Sequence, residues 1–215
     1  MEINLLNKYP KTKRNLDERK NLKSEEVREI ARKFGKEFFD GNRSQGYGGY
    51  YYNPRFWSPV VPTFKKHWQL TSKKSLLDVG CGKGFMIYDI QRLIPGIKVK
   101  GIDISEYAIN NAVESVKGLV SVADAKKLPF EDKSYDIVIS INTVHNLEIE
   151  ECANALQEIE RVRREGAFIT VDAVPPTIKS PLSLTVITSV FEPPSALVKK
   201  CKSPPLLFPV PTIWP

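Results

Sequence analysis

The sequence predicts a three-layer α/β fold of the Rossmann-like type, in which helices cover both faces of a parallel sheet. Short apolar segments alternate with amphipathic ones from Ser75 to Ala173, the pattern of parallel strands joined by crossover helices. The first apolar segment also runs directly into a glycine-rich loop at residues 80–84. Right-handed crossovers leave a switch point beside the first strand, where such sheets bind ligands.

Composition restricts the class of protein. The chain has 215 residues, of which 41% are hydrophobic and 27% charged, values typical of a globular domain. No stretch approaches the ~18 apolar residues of a membrane span, and the first residues lack the apolar centre of a signal peptide. Three widely spaced cysteines predict a reducing, cytoplasmic setting without disulfides. The net charge of +7 is spread along the chain, which disfavours a nucleic-acid partner.

Two zones precede the first strand. Residues 1–23 are polar and basic and predict a flexible arm. Residues 24–74 predict N-terminal helices and a lid segment. Ser24 is an N-cap followed by two glutamates, and a helix is expected from there to Gly41. A shorter helix is expected from about Pro62 to Trp68.

Between these helices lies a segment rich in glycine and tyrosine, residues 46–57. Glycines disfavour regular structure there, whereas the aromatic side chains need a surface on which to pack. Two interpretations stay open: a mobile linker, or a lid whose rings cover a ligand by cation–π contact or stacking. The lid candidates are Tyr47, Tyr50, Tyr51, Arg55 and Trp57.

The α/β core is predicted over residues 75–173. The expected strands are 75–79, 98–103, 119–123, 135–141 and 167–172. The expected helices lie near 84–94, 105–117 and 149–164.

The glycine loop has the sequence Asp78-Val79-Gly80-Cys81-Gly82-Lys83-Gly84. Glycines allow a sharp turn and a close backbone approach to a ligand, and the following helix offers free N–H groups. A dinucleotide fingerprint would need its third glycine one residue later, at the position of Phe85. This spacing disfavours a nicotinamide-dependent dehydrogenase.

Two acidic residues follow the next strands. Asp103 ends the second predicted strand, 23 residues after Gly80, where a carboxylate can accept both hydroxyls of a ribose. Asp124 and Ala125 end the third predicted strand, where an amide and a carboxylate can read an adenine edge. The three strand ends therefore predict one nucleoside-binding site.

Taken together, residues 60–173 resemble the class I S-adenosylmethionine-dependent methyltransferases of the small-molecule, type 11 branch. The resemblance implies that the glycine loop holds the methionine part, that Asp103 binds the ribose, and that Asn142 approaches the amino-acid end. It implies S-adenosyl-L-methionine as cofactor and no metal. The expected cofactor-binding residues are Asp78, Gly80, Cys81, Gly82, Gly84, Asp103, Ile104, Asp124, Ala125 and Asn142.

The acceptor side is less defined. His145 follows the fourth strand and is either a general base or a rim histidine without a catalytic role. The sequence Asn142-Thr143-Val144-His145 lacks the Pro-Pro-aromatic run by which related enzymes methylate planar amides and adenine amines. A small organic acceptor with an oxygen, nitrogen or carbon nucleophile is therefore expected.

The C-terminal zone, residues 174–215, holds 10 of the 16 prolines, which disfavour a regular helix or a central strand. The resembling family continues past its fifth strand with a helix and two more strands, the last one antiparallel. The sequence therefore predicts a sheet that is incomplete at its C-terminal end. Residues 182–191, from Leu182 to Phe191, are expected to form one strand at most, and the fifth strand is expected to be an exposed edge. The alternative function is a binding-only or catalytically impaired protein that retains the cofactor pocket.

Overall fold

A computed structural model of the protein describes residues 4–10, 24–173 and 183–187. Within them, six strands form one sheet in the order β3-β2-β1-β4-β5-β6. The pairs among β1 to β5 are parallel, and β6 is antiparallel to β5. The strands are β1 Ser75–Val79, β2 Lys98–Asp103, β3 Val120–Val122, β4 Tyr135–Ile141, β5 Arg163–Ala173 and β6 Ser183–Ile187.

Helices connect and cover these strands, as the alternating pattern predicts. The α-helices are α1 Glu25–Arg32, α2 Lys36–Asp40, α3 Pro54–Trp57, α4 Val61–Trp68, α5 Phe85–Leu93, α6 Glu106–Asn110 and α7 Ile149–Val162. Two 3₁₀ turns, Glu114–Leu119 and Val144–Asn146, complete the described helical structure.

The alternation of side chains along β1 builds two cores. Leu76 packs into a cluster with α4 and α5, which includes Phe64 and Ile87. Its neighbour Leu77 packs on the other face of the sheet, where α7 contributes Leu156 to a second cluster. Successive strand residues point to opposite faces, so a fully buried strand feeds both cores and produces the three predicted layers.

The end of β1 is joined to β2 by backbone contacts. The amides of Gly80 and Cys81 donate to the carbonyl of Ile102 at 2.8 and 2.9 Å. In the parallel register, Asp78 lies opposite Gly101, and Asp103 lies opposite Val122 of β3. The glycine loop and the acidic strand ends are therefore held at one edge of the sheet.

Two predicted helices are wrong in their extent. The helix expected from Ser24 to Gly41 is divided into α1 and α2 at Phe34, whose φ is +48°. The break brings the rings of Phe34 and Phe38 into edge contact, with centroids 5.0 Å apart. The helix expected over 105–117 ends at Asn110, because the amide of Val113 donates instead to the carbonyl of Lys83 at 3.1 Å.

The flexible-arm prediction needs correction for residues 4–10. Leu5 is 3% exposed, and the ring of Tyr9 lies 5.0 Å from that of Trp57. The buried Leu5 and the partly buried Tyr9 anchor this segment to the apolar core, although most residues of the predicted arm are polar. Residues 11–23 lie outside the described part of the chain.

The expected exposed edge of the sheet is also corrected. Strand β6 pairs with β5 from Ile169 to Ala173, so that part of β5 is covered. Residues 183–187 contain no proline, which leaves every amide of β6 able to donate a hydrogen bond. The prediction for residues 192–215 lies outside the described residues.

Gly101 offers a test of this packing. A Cβ built there would lie 2.3 Å from Cδ1 of Ile87 and 2.8 Å from Cβ of Cys81, whereas one at Gly118 meets nothing within 4 Å. We expect Gly101→Ala to lower the free energy of unfolding by about 1–3 kcal/mol through overpacking. Gly118→Ala, the matched control, should leave it unchanged or slightly higher. Urea denaturation measures both, and equal stabilities would contradict the packing described.

Candidate functional site

A cavity of about 230 Å³ lies at the carboxyl ends of the central strands. One wall consists of the loops that follow β1, β2, β3 and β4, and the other consists of aromatic side chains from the N-terminal segments. The strand-end wall includes Asp78, Gly80, Cys81, Gly82, Ile102, Asp103, Ile104, Ala123, Asp124, Ala125, Lys126, Ile141, Asn142, Thr143, Asn146 and Leu147.

The glycine loop lies directly against this cavity. Gly80 and Gly82 have φ values of +86° and +55°, a region that L-residues with side chains rarely adopt. A Cβ on Gly80 would lie 2.0 Å from Oγ1 of Thr143, and one on Gly82 would lie 3.2 Å from the Tyr50 ring and hydroxyl. The loop therefore packs against Thr143 and Tyr50 at the cavity only because these positions lack side chains.

Asp103 is fixed by the backbone around it. Its carboxylate accepts the Gly82 N–H at 2.8 Å and the Ser105 N–H at 2.9 Å. Burial raises the pKa of Asp103, and these hydrogen bonds oppose the rise. The carboxylate thus connects the glycine loop to the end of β2 and faces the cavity.

Asp78 lies deeper, at 3% exposure. Burial, together with the nearby charge of Asp103, raises its pKa from 3.8 to about 8. Its side chain therefore carries a proton at neutral pH when no cation is present in the cavity.

The end of β3 carries a charged pair. Asp124 accepts the backbone N–H of Lys126 at 2.9 Å, and the Lys126 ammonium lies 3.5 Å from the same carboxylate. That ammonium also contacts Glu151 of α7 at 2.7 Å. Lys126 is thus neutralised from two sides.

Asn142, after β4, adopts a left-handed conformation with φ +55°. Its backbone N–H donates to the hydroxyl of Thr170 at 3.0 Å, and that hydroxyl donates to Asn142 Oδ1, also at 3.0 Å. Thr170 is fully buried. The reciprocal pair holds Asn142 at the cavity in a conformation that its sequence alone would not favour.

Five rings form what we call the aromatic cap: Phe34, Phe38, Phe39, Tyr47 and Tyr50. Tyr47 and Tyr50 lie 4.4 Å apart between ring centroids, and Tyr50 stacks on Phe85 of α5 at 4.8 Å. Burial raises the pKa of both tyrosines. The cap therefore presents neutral rings and hydroxyls to the cavity.

Most of the predicted site residues line the cavity, and four do not. Gly84 instead turns the chain into α5, and a Cβ there would lie 3.0 Å from Val116. Tyr51 is 68% exposed, and Arg55 lies over the ring of Phe56 at 4.7 Å. His145 is half-buried in the second 3₁₀ turn, whereas Asn146 and Leu147 of the same loop reach the cavity.

Sequence reasoning missed much of the aromatic wall. Tyr9 and Phe39 line the cavity together with Met86, and neither aromatic residue lies near a recognisable motif. The sequence of α2 did contain a clue. Phe38 and Phe39 are adjacent, and because one face of an amphipathic helix cannot bury two adjacent residues, the pair indicates contacts on a second side of the helix. Tyr9 carried no such signal, because its partners lie about fifty residues away in the sequence.

Within 4–10, 24–173 and 183–187, no three His, Cys, Asp or Glu side chains are grouped so that they could hold a metal ion. In the same ranges, no helix has the length and apolar character needed to cross a membrane.

Part of the chain is similar to known proteins. Residues 77–171 match the family described as a methyltransferase domain. Ajmaline N-methyltransferase of Rauvolfia serpentina is 32% identical over 46% of this chain and 35% of its own length. Arginine-hydroxylase NDUFAF5 of Mus musculus is 32% identical over 43% of this chain and 27% of its own. The similarity thus spans less than half of these relatives. The PH0226 protein of Pyrococcus horikoshii OT3 superposes with a TM-score of 0.49 at 28% identity, covering 64% of this chain and 63% of that one.

The raised pKa of Asp78 predicts a pH-dependent stability. Between its ordinary value of 3.8 and about 8, the folded protein holds a proton that the unfolded chain has released. The free energy of unfolding should therefore fall as pH rises through this range and level off above it. Asp78→Asn should lack this pH dependence. The free energy of unfolding of the variant minus that of the parent should therefore increase with pH up to about pH 8. Urea denaturation without ligand measures the difference, and parallel pH curves would contradict it.

Proposed function

Residues 77–171 belong to the type 11 family of methyltransferase domains, and from this premise we propose that the protein transfers a methyl group from S-adenosylmethionine to a small organic acceptor. One observation supports the proposal most strongly. The glycine loop, at positive φ, is hydrogen-bonded through Gly82 to the acidic end of the adjacent strand, Asp103. This arrangement suits an extended ligand with an amino-acid end and a ribose.

The residues present fit such a cofactor. The backbone of Gly80 and Gly82 lines the cavity, where positive φ and the neighbouring Thr143 and Tyr50 side chains leave no space for a Cβ. We assign the methionine part to this loop and Asp78, and the ribose hydroxyls to Asp103. We assign the adenine to the space beside Ile104, which is 53% exposed, and the Asp124–Ala125 turn.

When bound, S-adenosylmethionine supplies an electrophilic methyl group on a cationic sulfonium. The protein's contribution is to orient the reactants and exclude water. The neutral tyrosines of the aromatic cap can stabilise a cation through their ring faces, and they close the cavity against solvent. Asp78 can lose its proton when a cation enters, because a positive charge favours the carboxylate.

The charges of the cavity favour a neutral or cationic acceptor. Its described lining contains three carboxylates and one lysine, and that lysine is paired with Glu151 and Asp124. An anionic acceptor would meet net negative charge there. The cavity's aromatic wall and its volume of about 230 Å³ further support a small apolar molecule.

We do not assign the atom that accepts the methyl group, because the names of the similar proteins describe different reactions. They include an N-methyltransferase for norajmaline, a sterol 4-C-methyltransferase and a demethylmenaquinone methyltransferase, as well as an arginine-hydroxylase.

His145 lies outside the described cavity lining, so we do not assign it as a base. A metabolite screen with a labelled methyl donor identifies the acceptor. Cofactor binding without transfer to any candidate would favour the binding-only alternative.

We also propose a reducing compartment such as the cytoplasm. The three cysteines are widely spaced along the sequence, and Cys81 is a buried free thiol. Fractionation of the native protein tests this point.

Calorimetric titration tests the cofactor class directly. S-adenosylhomocysteine should bind with one site per chain, whereas a nicotinamide dinucleotide should produce no heat of binding. The expected discrimination follows from the spacing of the glycine loop, which carries Phe85 where a dinucleotide site needs glycine. Binding of the dinucleotide alone would overturn the proposal.

Asp103→Ala tests the ribose assignment. Loss of the carboxylate should weaken S-adenosylmethionine binding by ~1.5–3 kcal/mol, the usual scale for hydrogen bonds to a charged group. It also frees the Gly82 N–H, so the loop should loosen. Glu131→Ala, which removes an exposed carboxylate, is the control and should bind as the parent does. An unchanged dissociation constant in Asp103→Ala would remove this residue from the site.

A further inference from the structure

Lys83 belongs to the glycine loop, yet its side chain points away from the cavity. Its ammonium donates to Asp40 Oδ2 at 2.6 Å and to the carbonyl of Tyr50 at 3.0 Å. The Lys83 and Asp40 side chains are 7% and 14% exposed. A buried ion pair therefore joins the loop to the end of α2 and to the chain that carries the aromatic cap.

Asp40 gathers further donors at the same point. The Tyr50 N–H donates to its Oδ1 at 2.9 Å, and the Tyr107 hydroxyl donates to its Oδ2 at 2.7 Å. Burial alone would raise the pKa of Asp40, but hydrogen bonds from Lys83, Tyr107 and Tyr50 hold it below its usual value. The same bond to Asp40 raises the pKa of Tyr107 to about 12. The carboxylate is thus held in its charged form.

The aromatic cap is hydrogen-bonded to α2. The amides of Tyr47 and Gly49 donate to the carbonyls of Phe38 and Phe39 at 2.8 and 3.1 Å. Beyond the cap, the hydroxyls of Tyr52 and Ser58 both donate to the buried Asp89 of α5 at 2.9 Å. The chain is therefore fixed to α5 from Tyr52 onward, and the cap before it is attached to the glycine loop at Asp40.

Tyr51 explains how the pair is shielded. Its ring lies 5.5 Å from the Lys83 ammonium, which also lies 5.7 Å from the ring of Tyr107. Tyr51, predicted to face a ligand, instead covers the ion pair from the solvent side. Low exposure and two rings reduce the competition of water for the ammonium.

We propose that Lys83 is a positioning residue, which clamps the aromatic cap onto the glycine loop so that the cofactor enters and leaves only when the Lys83–Asp40 pair separates. The inference rests on the proposed cofactor. It follows from the place of Tyr50, whose hydroxyl lies over Gly82 and whose carbonyl is bound by Lys83. Any ligand lying on the loop would be covered by the ring that this ammonium holds.

A purely stabilising role makes a different prediction. Removing one partner of a buried ion pair leaves the other charge uncompensated, so a purely structural role would lower the stability of the whole fold and speed exchange throughout the chain. A clamp instead changes the rate at which the site opens, as do residues that hold lids closed. The deciding quantities are therefore the local opening of residues 46–51 and the rate of cofactor release.

The experiment compares the full chain with Lys83→Met and with Lys74→Met. The control removes a lysine of similar length that pairs with Glu165 at the opposite end of β1. Hydrogen exchange without ligand should show faster exchange at residues 46–51 in Lys83→Met alone. Dissociation of S-adenosylhomocysteine, measured by stopped-flow displacement, should be at least about tenfold faster in that variant. Asp40→Asn, which keeps an acceptor for the Tyr50 N–H, should repeat both effects if Lys83→Met does not fold.

The possible results separate the two proposals. Faster exchange with an unchanged dissociation rate would overturn the gating role of Lys83. Unchanged exchange in a folded variant would overturn the clamp itself. Failure of the parent protein to bind S-adenosylhomocysteine would overturn the proposed function and the gate with it, while the ligand-free exchange would still report on the clamp.

Discussion

The close approach of the glycine loop to the end of β2 is the constraint on which the site depends. The amides of Gly80 and Cys81 both reach the carbonyl of Ile102, and the Gly82 N–H reaches the carboxylate of Asp103. The turn at Gly80 requires a residue without a side chain, because its φ is +86° and a Cβ there would overlap Thr143. The glycine loop, Asp103 and the loop after β4 are thus held close together.

A second layer of the structure covers this edge. Helix α2 and the aromatic cap supply one wall of the cavity, and Lys83 links that wall to the loop beneath it. The glycine loop therefore has two surfaces: its backbone faces the cavity, while its lysine contacts the chain that carries the cap. In the proposed function, cofactor binding and closure of the site are connected through these adjacent residues.

The electrostatics of the empty cavity agree with a cationic ligand. Burial raises the pKa values of Asp78 and Asp103, and a positive charge beside them would favour their ionised forms. The surrounding tyrosines remain neutral because burial raises their pKa values. A sulfonium or an amine would thus be stabilised by carboxylates and ring faces, while the lysine of the described lining is paired with Asp124 and Glu151.

The sequence by itself determined the α/β core, since the strand bounds of β1, β2 and β4 and the glycine loop follow from local apolar pattern and glycine spacing. The tertiary structure alone decided the break of the first helix at Phe34, the burial of Leu5, and the pairing of β6 with β5. It also placed His145 outside the described lining and joined Lys83 to Asp40 across 43 residues of sequence. These features depend on contacts between distant segments, and neither periodicity nor composition carries information about which distant side chains will meet.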